Sequence, residues 1–370
     1  MIEIPHLLLA VMVCLASAMM YHVTIVKDGW QAKIAVYVGT FMFAWFSLCA
    51  NVVLLFSCWV VWPISPKWGR WLSSHAAQQG WVMGLIHILR SGELKVTGDL
   101  PDAQETAVVI SNHQMDCDWW YMLALMRCLG QDPQVKVILK DQYKNIPIMG
   151  WGLKGFGFIM LKRNWQQDEA DLKRQLQVFA SDGAPLKLLI YPEGTTANIS
   201  EKEKGDSFAQ REGRPTFKHL ILPRVTGFNA CVKLLAETCP GACVYDITVG
   251  YGGYSGEIPT WDMGYEREID RGVPNLRKLF QGDAIKPTHM HIERHTIEEV
   301  LEGGELWLDK QWAKKDALLE SFIRNRRFTG VGPEVAQLRP SKSTLVTLVF
   351  GSLPIMFCWG LWCVTRWCYA

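Results

Sequence analysis

The sequence has little net charge and lacks the basic excess that marks a nucleic-acid-binding surface. Its 38 Lys and Arg residues nearly balance 36 Asp and Glu residues, which leaves a formal net charge of +2 over 370 residues. Proteins that grip nucleic-acid phosphates usually carry a strongly basic face. We therefore expect no nucleic-acid partner. The length allows one large domain or two ordinary ones.

The cysteines lack the paired spacing of metal or redox sites. The chain contains 11 Cys but no C-x-x-C pair, so the sequence predicts neither a zinc ribbon nor a thioredoxin-like site. Structural disulfides would need an oxidising compartment. We expect the cysteines to be free thiols.

Charged residues are absent from three long stretches of the chain. Residues 4–26, 34–66 and 343–365 contain no Asp, Glu, Lys or Arg. A helix of roughly 20 apolar residues spans a bilayer, so each stretch predicts a membrane-spanning helix. The composition agrees, because 49% of residues are hydrophobic and the 17 Trp favour the membrane–water boundary.

The first of these stretches has a second interpretation. Its segment Ala16–Ala18 resembles the small-residue cleavage site of a signal peptide. No basic residue precedes the stretch, however, and the apolar run continues past this site. We therefore expect a retained membrane anchor, with a signal peptide as the alternative.

Basic residues beside the apolar stretches predict the orientation. Lys67 and Arg70 follow the second stretch, while Arg339 and Lys342 precede the third. By the positive-inside tendency, the domain between them faces the cytosol. The chain is thus predicted to have membrane segments in residues 1–66, a central domain in residues 67–341 and a last membrane segment in residues 342–370.

The central domain alternates predicted strands with predicted helices, which favours an α/β fold. Such a pattern predicts a mixed, mostly buried sheet flanked by helices. The polar segment 200–214 is interpreted as a solvated loop or short helix without a function. The predicted strands are 93–97, 106–111, 135–139, 156–161, 186–191, 244–250 and 289–293, and the predicted helices are 168–180 and 308–322.

The most informative segment is Ser111–Trp120, which reads SNHQMDCDWW. An apolar strand runs directly into His113, and Asp118 follows in the same segment. A histidine can accept a proton from an attacking alcohol near neutral pH. A carboxylate would fix its tautomer and stabilise the imidazolium. In a helix this offset turns about 140°, so contact between the two side chains requires a turn between strand and helix.

Three further segments combine a strand end or tight turn with charged groups. Residues 157–163 end in Lys162 and Arg163, residues 191–196 read YPEGTT, and residues 222–228 read LPRVTGF. Arg binds phosphate in bidentate fashion and Lys acts as a point charge. Turns with Pro and Gly allow close approach of backbone groups. Each segment alone is more often a structural turn than a site.

Taken together and in this order, the four segments resemble the glycerolipid acyltransferase family, of the lysophosphatidic-acid acyltransferase type. The family's blocks are N-H-x-x-x-x-D, a hydrophobic block ending in Arg, P-E-G-T, and an apolar-Pro block before Gly-Phe. All are present between Val108 and Phe228. The segments 140–151 and 244–251 resemble the longer eukaryotic branch, which includes lysophosphatidate, lysophosphatidylinositol and lysocardiolipin acyltransferases.

The resemblance implies roles for individual residues. His113 would be the general base on the acceptor hydroxyl and Asp118 its orienting partner. Lys162 and Arg163 would bind the acceptor phosphate. The remaining implied substrate-binding residues shape the acceptor pocket or handle acyl-CoA, and they are Glu193, Gly194, Thr195, Pro223, Arg224 and Gly227.

The resemblance also implies the reaction and its partners. The hydroxyl attacks the thioester directly, so we expect no acyl-enzyme, metal or cofactor. The partners are acyl-CoA, a lysophospholipid and the bilayer, with no protein partner, and the organelle is the endoplasmic reticulum. The expected acceptor is 1-acyl-sn-glycerol-3-phosphate. Many lysophosphatidate enzymes have Arg where Thr196 stands, so lysophosphatidylinositol or monolysocardiolipin is the alternative acceptor.

Other classes of function remain open from the sequence. His289, His291 and His295 would be candidate metal ligands, because the first two share one face of a strand. Ser255 suggests a serine hydrolase, but Glu257 stands where the G-x-S-x-G motif needs its second glycine. A catalytically inactive membrane adaptor with the same fold is the third alternative.

Overall fold

A computed structural model describes residues 29–162, 165–258, 272–281 and 286–368. A mixed sheet lies at the centre of these residues. The predicted segment 4–26 and Arg163 lie outside the described residues. The strands are β1 Leu94–Gly98, β2 Ala107–Ser111, β3 Val135–Lys140, β4 Ile159–Leu161, β5 Lys187–Ile190, β6 Cys243–Tyr251, β7 Thr288–Thr296 and β8 Glu334–Leu338.

The strand order in the sheet is β4-β3-β5-β2-β6-β7-β1-β8. Neighbours from β4 to β6 are all parallel, whereas β7 runs antiparallel to β6 and β8 antiparallel to β1. Strands β2 and β5 are continuous apolar runs because both faces of a parallel sheet are covered. The parallel arrangement brings the carboxyl ends of five strands to one edge, which is where open α/β sheets bind ligands.

Helices cover both faces of the sheet. Side chains that alternate along β2 enter two separate cores, since Val109 joins one cluster and Val108 and Ile110 join the other. The described helices are α1 Gly29–Phe56, α2 Pro66–Leu72, α3 Gln79–Leu85, α4 Asp118–Cys128, α5 Met149–Gly155, α6 Trp165–Asp182, α7 Ile199–Arg211, α8 Val225–Thr238, α9 Leu276–Gln281, α10 Ile297–Asn325 and α11 Thr344–Cys368.

The predicted mixed sheet flanked by helices is confirmed, with differences at particular elements. Strand β8 was not predicted because it is a largely exposed edge strand without an apolar run. The segment predicted as a loop or short helix is helix α7, whose first turn is capped by the Asn198 side chain accepting a hydrogen bond from the Glu201 N–H at 2.9 Å. The predicted helix 308–322 is the second part of α10, which bends at Gly304.

Two described helices are long and apolar enough to cross a membrane. They span Lys33–Val61, including the π-helical turn that continues α1, and Thr344–Val364 within α11. The Trp45 indole donates to the Gly351 carbonyl at 2.9 Å and joins the two helices. These spans coincide with the second and third uncharged stretches of the sequence. Helix α1 also reaches the central domain, because the Asn51 amide donates to the Ile148 carbonyl at 2.8 Å.

Candidate active site

The turn between β2 and α4 brings His113 and Asp118 together. Strand β2 ends at Ser111, and α4 begins at Asp118. The intervening turn lets His113 Nδ1 lie 2.9 Å from Asp118 Oδ2. The turn required by the sequence argument is therefore present. The Asp118 side chain is buried, whereas 18% of the His113 side chain is exposed, so the imidazole is the part of the pair that a substrate can reach.

The surroundings of Asp118 fix the imidazole tautomer. Its Oδ2 also accepts the Met115 backbone N–H at 2.9 Å, and its Oδ1 accepts the Tyr251 hydroxyl from the end of β6. An ionised carboxylate only accepts hydrogen bonds. We therefore assign the proton to His113 Nδ1, which leaves Nε2 with a lone pair. A basic Nε2 is what proton abstraction requires.

The imidazole is packed between neighbouring turns. Its ring stacks on the Tyr191 ring with centroids 4.2 Å apart, and its Nε2 lies 3.4 Å from the Thr196 hydroxyl. The His113 carbonyl accepts the Ala197 N–H at 2.8 Å. The turn after β5 thus supports the turn after β2, and both occupy the carboxyl edge of the sheet.

Glu193 and Gly194 form the bend after β5. The Glu193 side chain turns inward, where its Oε1 accepts the His113 backbone N–H at 3.3 Å. Burial raises the pKa of this carboxyl well above its usual range. Gly194 has φ of +72°, and a Cβ there would lie 3.3 Å from Arg224 Cδ. Glycine is needed here both for its backbone conformation and for the close passage of Arg224.

A cavity of about 920 Å³ opens beside His113. One end is apolar and is lined by aromatic and aliphatic side chains from α3, α4, β3 and α5. The other end is polar and includes the turns after β2 and β5 and the amino end of α8. The apolar end is formed among others by Trp81, Trp119, Leu123, Leu139, Met149, Leu153, Phe158 and Leu161.

Four cationic residues line this cavity at its polar end: Lys140, Lys204, Arg214 and Arg224. Lys204 is paired with Glu201 at 2.8 Å, and Arg214 with Asp309 at 2.6 Å. Lys140 ends β3, and Arg224 directly precedes α8, whose first residues Val225–Gly227 also line the cavity. A helix amino terminus carries a partial positive charge and unpaired N–H groups. This end of the cavity therefore suits a phosphate or another anion.

Four acidic residues also line this cavity: Asp116, Asp168, Glu193 and Glu201. Asp116 lies in the same turn as His113, and its Oδ1 accepts the Leu276 N–H at 3.2 Å. Burial raises the pKa of Asp116 to about 6, with the nearby Asp118 charge adding to the shift. The turn therefore holds two acidic groups in different settings, one bound to the imidazole and one at the cavity wall.

The structure brings most of the sequence-predicted site residues together, with two exceptions. His113, Glu193, Gly194, Thr195, Pro223, Arg224 and Gly227 all line the cavity, and Asp118 supports His113 from behind. Lys162 is exposed and is not among the lining residues, and its backbone N–H donates to Asp168 Oδ1 at 2.9 Å. Arg163 lies outside the described residues.

Sequence reasoning missed several residues that line or support the site. Asp116, Lys140 and Lys204 line the cavity, and Tyr251 binds Asp118. Lys140 and Tyr251 are the last residues of β3 and β6. Their signal was their position at strand ends, but only the strand order shows that these ends meet.

The residues of the alternative functions have local partners. His291 Nδ1 lies 3.0 Å from the Thr97 hydroxyl, and His295 Nδ1 lies 2.9 Å from Glu299 Oε1. Within the part of the chain that the structure describes, no group of three or more His, Cys, Asp or Glu side chains has the geometry of a metal site. The exposed Ser255 hydroxyl accepts the Glu257 N–H at 3.4 Å.

Known proteins are similar in sequence to this chain over most of its length. The family described as Acyltransferase matches residues 93–243, and the family described as Acyltransferase C-terminus matches residues 278–350. The chain is 28% identical over 332 residues to lysocardiolipin acyltransferase 1 of Gallus gallus, covering 88% of this chain and 80% of the relative.

Two further relatives come from a yeast and a plant. An acyltransferase of Schizosaccharomyces pombe is 30% identical over 249 residues, which cover 66% of this chain and 67% of the relative. The 1-acyl-sn-glycerol-3-phosphate acyltransferase 2 of Arabidopsis thaliana is 28% identical over 251 residues, covering 66% of this chain and 59% of the relative. The family match over residues 93–243 includes His113 and the turns after β2 and β5.

Proposed function

The chain belongs to the glycerolipid acyltransferase family, and we propose that it moves an acyl group from acyl-CoA to 1-acyl-sn-glycerol-3-phosphate, giving phosphatidic acid. The matched family and its relatives identify an O-acyltransferase acting on lysophospholipids or 1-acylglycerol-3-phosphate. The observation that carries the finer proposal is the His113–Asp118 pair facing a cavity with one cationic and one apolar end.

In the proposed reaction His113 is the general base. Its Nε2 takes the proton of the acceptor hydroxyl while the hydroxyl oxygen attacks the thioester carbonyl carbon. The tetrahedral intermediate then collapses with cleavage of the C–S bond, and the imidazolium returns its proton to the thiolate of CoA. Asp118 stabilises the imidazolium between these steps. The products are the acylated lipid and free CoA.

The polar end of the cavity would hold the phosphate groups. Lys140, Lys204 and Arg224 lie there beside the first turn of α8. Arg and Lys form charge-assisted hydrogen bonds with phosphate oxygens, and the helix terminus adds backbone donors. Thr195 and the backbone at Gly194 complete the acceptor side of the pocket.

The apolar end of the cavity would hold an acyl chain. Its lining residues include Trp81, Leu153 and Phe158. Removing apolar surface from water contributes about 0.8 kcal/mol per CH₂ group, so a long chain would be bound here with substantial affinity. The wall formed by α5 is tied to α1 through Asn51, which places this end of the cavity next to an apolar helix.

We infer that α1 and α11 span a membrane and that the central domain faces the cytosol, with the endoplasmic reticulum as the organelle. Support comes from their length and apolar composition and from the basic residues that flank them. Exposed Trp59 lies near the end of the first span, and exposed Trp68 and Trp71 follow it, in keeping with the preference of Trp for the interface. Lipid substrates would then enter the cavity from the bilayer.

Two observations favour a second candidate acceptor, lysophosphatidylinositol or monolysocardiolipin. Thr196 occupies the position where many lysophosphatidate enzymes have Arg, and its hydroxyl lies 3.4 Å from His113 Nε2. Asp116 adds a carboxyl to the same cavity. A hydroxyl and a carboxyl suit a phosphodiester headgroup that carries hydroxyls better than a doubly charged phosphomonoester.

The test is an acyl-transfer assay on protein purified in detergent. Labelled oleoyl-CoA would be supplied with lysophosphatidate, lysophosphatidylinositol, monolysocardiolipin or lysophosphatidylcholine. We expect transfer to one acceptor and a loss of about a thousandfold in His113→Ala, because both the proton acceptor and its imidazolium are removed. His75→Ala, a change of an exposed histidine stacked on Trp71, is the matched control.

The outcomes separate the candidates. Transfer to lysophosphatidate supports the first proposal, and transfer to one of the polyol lipids alone supports the second. If folded wild-type protein acylates none of the four, the inactive adaptor becomes the better interpretation. If His113→Ala keeps the wild-type rate, the assignment of His113 as general base is wrong.

A further inference from the structure

The Glu193 side chain faces the protein interior. Only 1% of the residue is exposed, although Glu193 is itself among the residues that line the cavity. Its Oε1 accepts the backbone N–H of His113 at 3.3 Å. Strands β2 and β5 are parallel neighbours, so a side chain just past the end of β5 reaches the backbone just past the end of β2.

A buried ion pair lies on the inner side of Glu193. The Lys315 ammonium, on α10, is 2.5 Å from Asp246 Oδ1 and donates to the Ile247 carbonyl on β6 at 2.6 Å. Both side chains of the pair are almost completely buried. Burial raises the pKa of the Glu193 carboxyl, and the nearby Lys315 charge offsets part of this shift. The Glu193 carboxyl is therefore surrounded by structural groups rather than by solvent.

The burial and the contacts of the Glu193 carboxyl do not suit a group that binds a substrate directly. A group that binds a headgroup must offer its polar atoms to the cavity, whereas the Glu193 side chain is almost completely buried. A buried carboxyl bonded to a backbone N–H instead fixes the backbone that carries the imidazole. Catalytic groups need such support, because displacement of a reacting group by about 1 Å can lower a rate roughly a hundredfold.

We propose that Glu193 is a positioning residue, which holds the His113 backbone from inside the protein and does not contact the acceptor. This assignment rests on the proposed acyl transfer for its kinetic test, and it replaces the acceptor-pocket role that the family resemblance implies. Glutamine has the same shape and retains the accepting oxygen, whereas alanine has no acceptor.

Kinetic constants of Glu193→Gln and Glu193→Ala test the proposal. We expect Glu193→Gln to stay within about threefold of the wild-type kcat, because its amide oxygen accepts the same N–H. Glu193→Ala should lose roughly tenfold to a hundredfold in kcat with KM for the acceptor within about twofold of wild type. Glu237→Ala, which removes an exposed glutamate paired with Lys173 on the outer surface, is the control.

Hydrogen–deuterium exchange of the peptide containing His113 supplies a readout that does not depend on activity. We expect the His113 amide to be protected in wild type and Glu193→Gln and to exchange at least about tenfold faster in Glu193→Ala, since its acceptor is gone. If the wild-type protein acylates no acceptor but the wild type and the two variants show this exchange pattern, the positioning role is supported and the proposed function is overturned.

Two results would overturn the positioning role. One is a rise of about tenfold or more in acceptor KM for Glu193→Gln, which is the behaviour of a group that binds substrate. The other is an unchanged exchange rate of the His113 amide in Glu193→Ala. Either result can occur with a fully active wild-type enzyme, so the failure of this inference and of the proposed function are distinguishable.

Discussion

The amino and carboxyl ends of the parallel strands contain similar charged residues in different environments. Strand β3 carries Lys136 near its amino end and Lys140 at its carboxyl end. Strand β5 begins with Lys187 and leads into Glu193. Lys136 and Lys187 are buried, whereas Lys140 lines the cavity. Residue type alone therefore does not distinguish a lysine of the candidate site from a lysine with a structural role.

At the amino ends the protein itself supplies the partners of the lysines. The Lys187 ammonium donates to the Asp102 carbonyl at 2.6 Å and to the Glu105 carbonyl. The Lys136 ammonium donates to Gln78 Oε1 at 2.8 Å and to the Ser74 hydroxyl at 3.0 Å. These bonds join loops and helices to the sheet and compensate the burial of the lysines.

At the carboxyl ends the polar groups surround a space large enough for a substrate. His113 is oriented by Asp118, and the cations Lys140 and Arg224 lie at the cavity wall. Partners that the protein supplies indicate a structural role, and polar atoms that line a cavity indicate a binding role. Three substitutions would test this distinction, in order of decreasing expected effect.

Asp118→Asn should have the largest effect, because it alters the orienting partner at the carboxyl end. The amide nitrogen can donate to His113 Nδ1 and favour the tautomer whose Nε2 is protonated and cannot act as a base. We expect kcat to fall by about a thousandfold to ten-thousandfold, as in hydrolase triads. The measurement is the acyl-transfer rate against the best acceptor of the panel, with circular dichroism to confirm folding.

Asp171→Asn is the matched control for this substitution. Asp171 is exposed on α6 and paired with Arg174, so its change should leave the rate unaltered. If Asp118→Asn kept more than about a tenth of the wild-type rate, the carboxylate would not be the group that orients the imidazole.

Lys136→Met should change stability at the amino end without changing the activity of folded protein. Burial lowers the pKa of Lys136 to about 7. The unfolded chain, in which lysine has its ordinary pKa of 10.5, binds one more proton than the folded chain between these values. Wild-type stability should therefore rise with pH from 7 to 10 by up to ~1 kcal/mol per pH unit from this residue.

The variant lacks this titration and should show a correspondingly weaker rise. The measurement is thermal unfolding in detergent between pH 7 and 10, with the exposed α8 residue Lys233→Met as the control. Equal pH dependence in wild type and Lys136→Met would show that Lys136 stays protonated in the folded protein. A large loss of kcat at pH 7.5 would show that the amino end contributes to catalysis after all.

The sequence allowed the prediction of most strands and of the His113–Asp118 contact for clear physical reasons. Buried parallel strands such as β2 and β5 are apolar runs, and a run that ends in His113 or in the turn containing Glu193 is visible in one dimension. The edge strand β8 was missed because half-solvated residues give no such run.

The remaining features of the site depend on which strands are neighbours. Lys140 joins the cavity only because β3 and β5 are adjacent, and Tyr251 reaches Asp118 only because β6 lies beside β2. Lys162 was predicted from its charge, but it is exposed and is not among the residues that line the cavity. The direction of a side chain just past a strand end is not fixed by sequence spacing, and the inward turn of Glu193 shows this most clearly.

Asp116→Asn should have the smallest of the three effects. It tests the difference between Asp116 and Asp118, the two acidic groups of the turn after β2. The pKa of Asp116 is raised to about 6, mainly by burial. Titration of Asp116 near this pH should contribute to the acid limb of the wild-type kcat/KM profile, and this contribution should be absent from Asp116→Asn.

Stability provides the second readout for Asp116→Asn. In wild type the folded carboxyl keeps its proton up to about pH 6, whereas an Asp with its ordinary pKa of 3.8 loses it at lower pH. Folding is therefore disfavoured as pH rises through this window, and the asparagine variant should lack that loss. A profile that keeps its acid limb in Asp116→Asn, together with unchanged stability, would show that Asp116 is ionised and solvated at the cavity wall. Water in the cavity would then hydrate Asp116 although the residue is half-buried, whereas the amino-end lysines are buried against partners that the protein supplies. Asp116 would therefore belong to the groups that face the substrate.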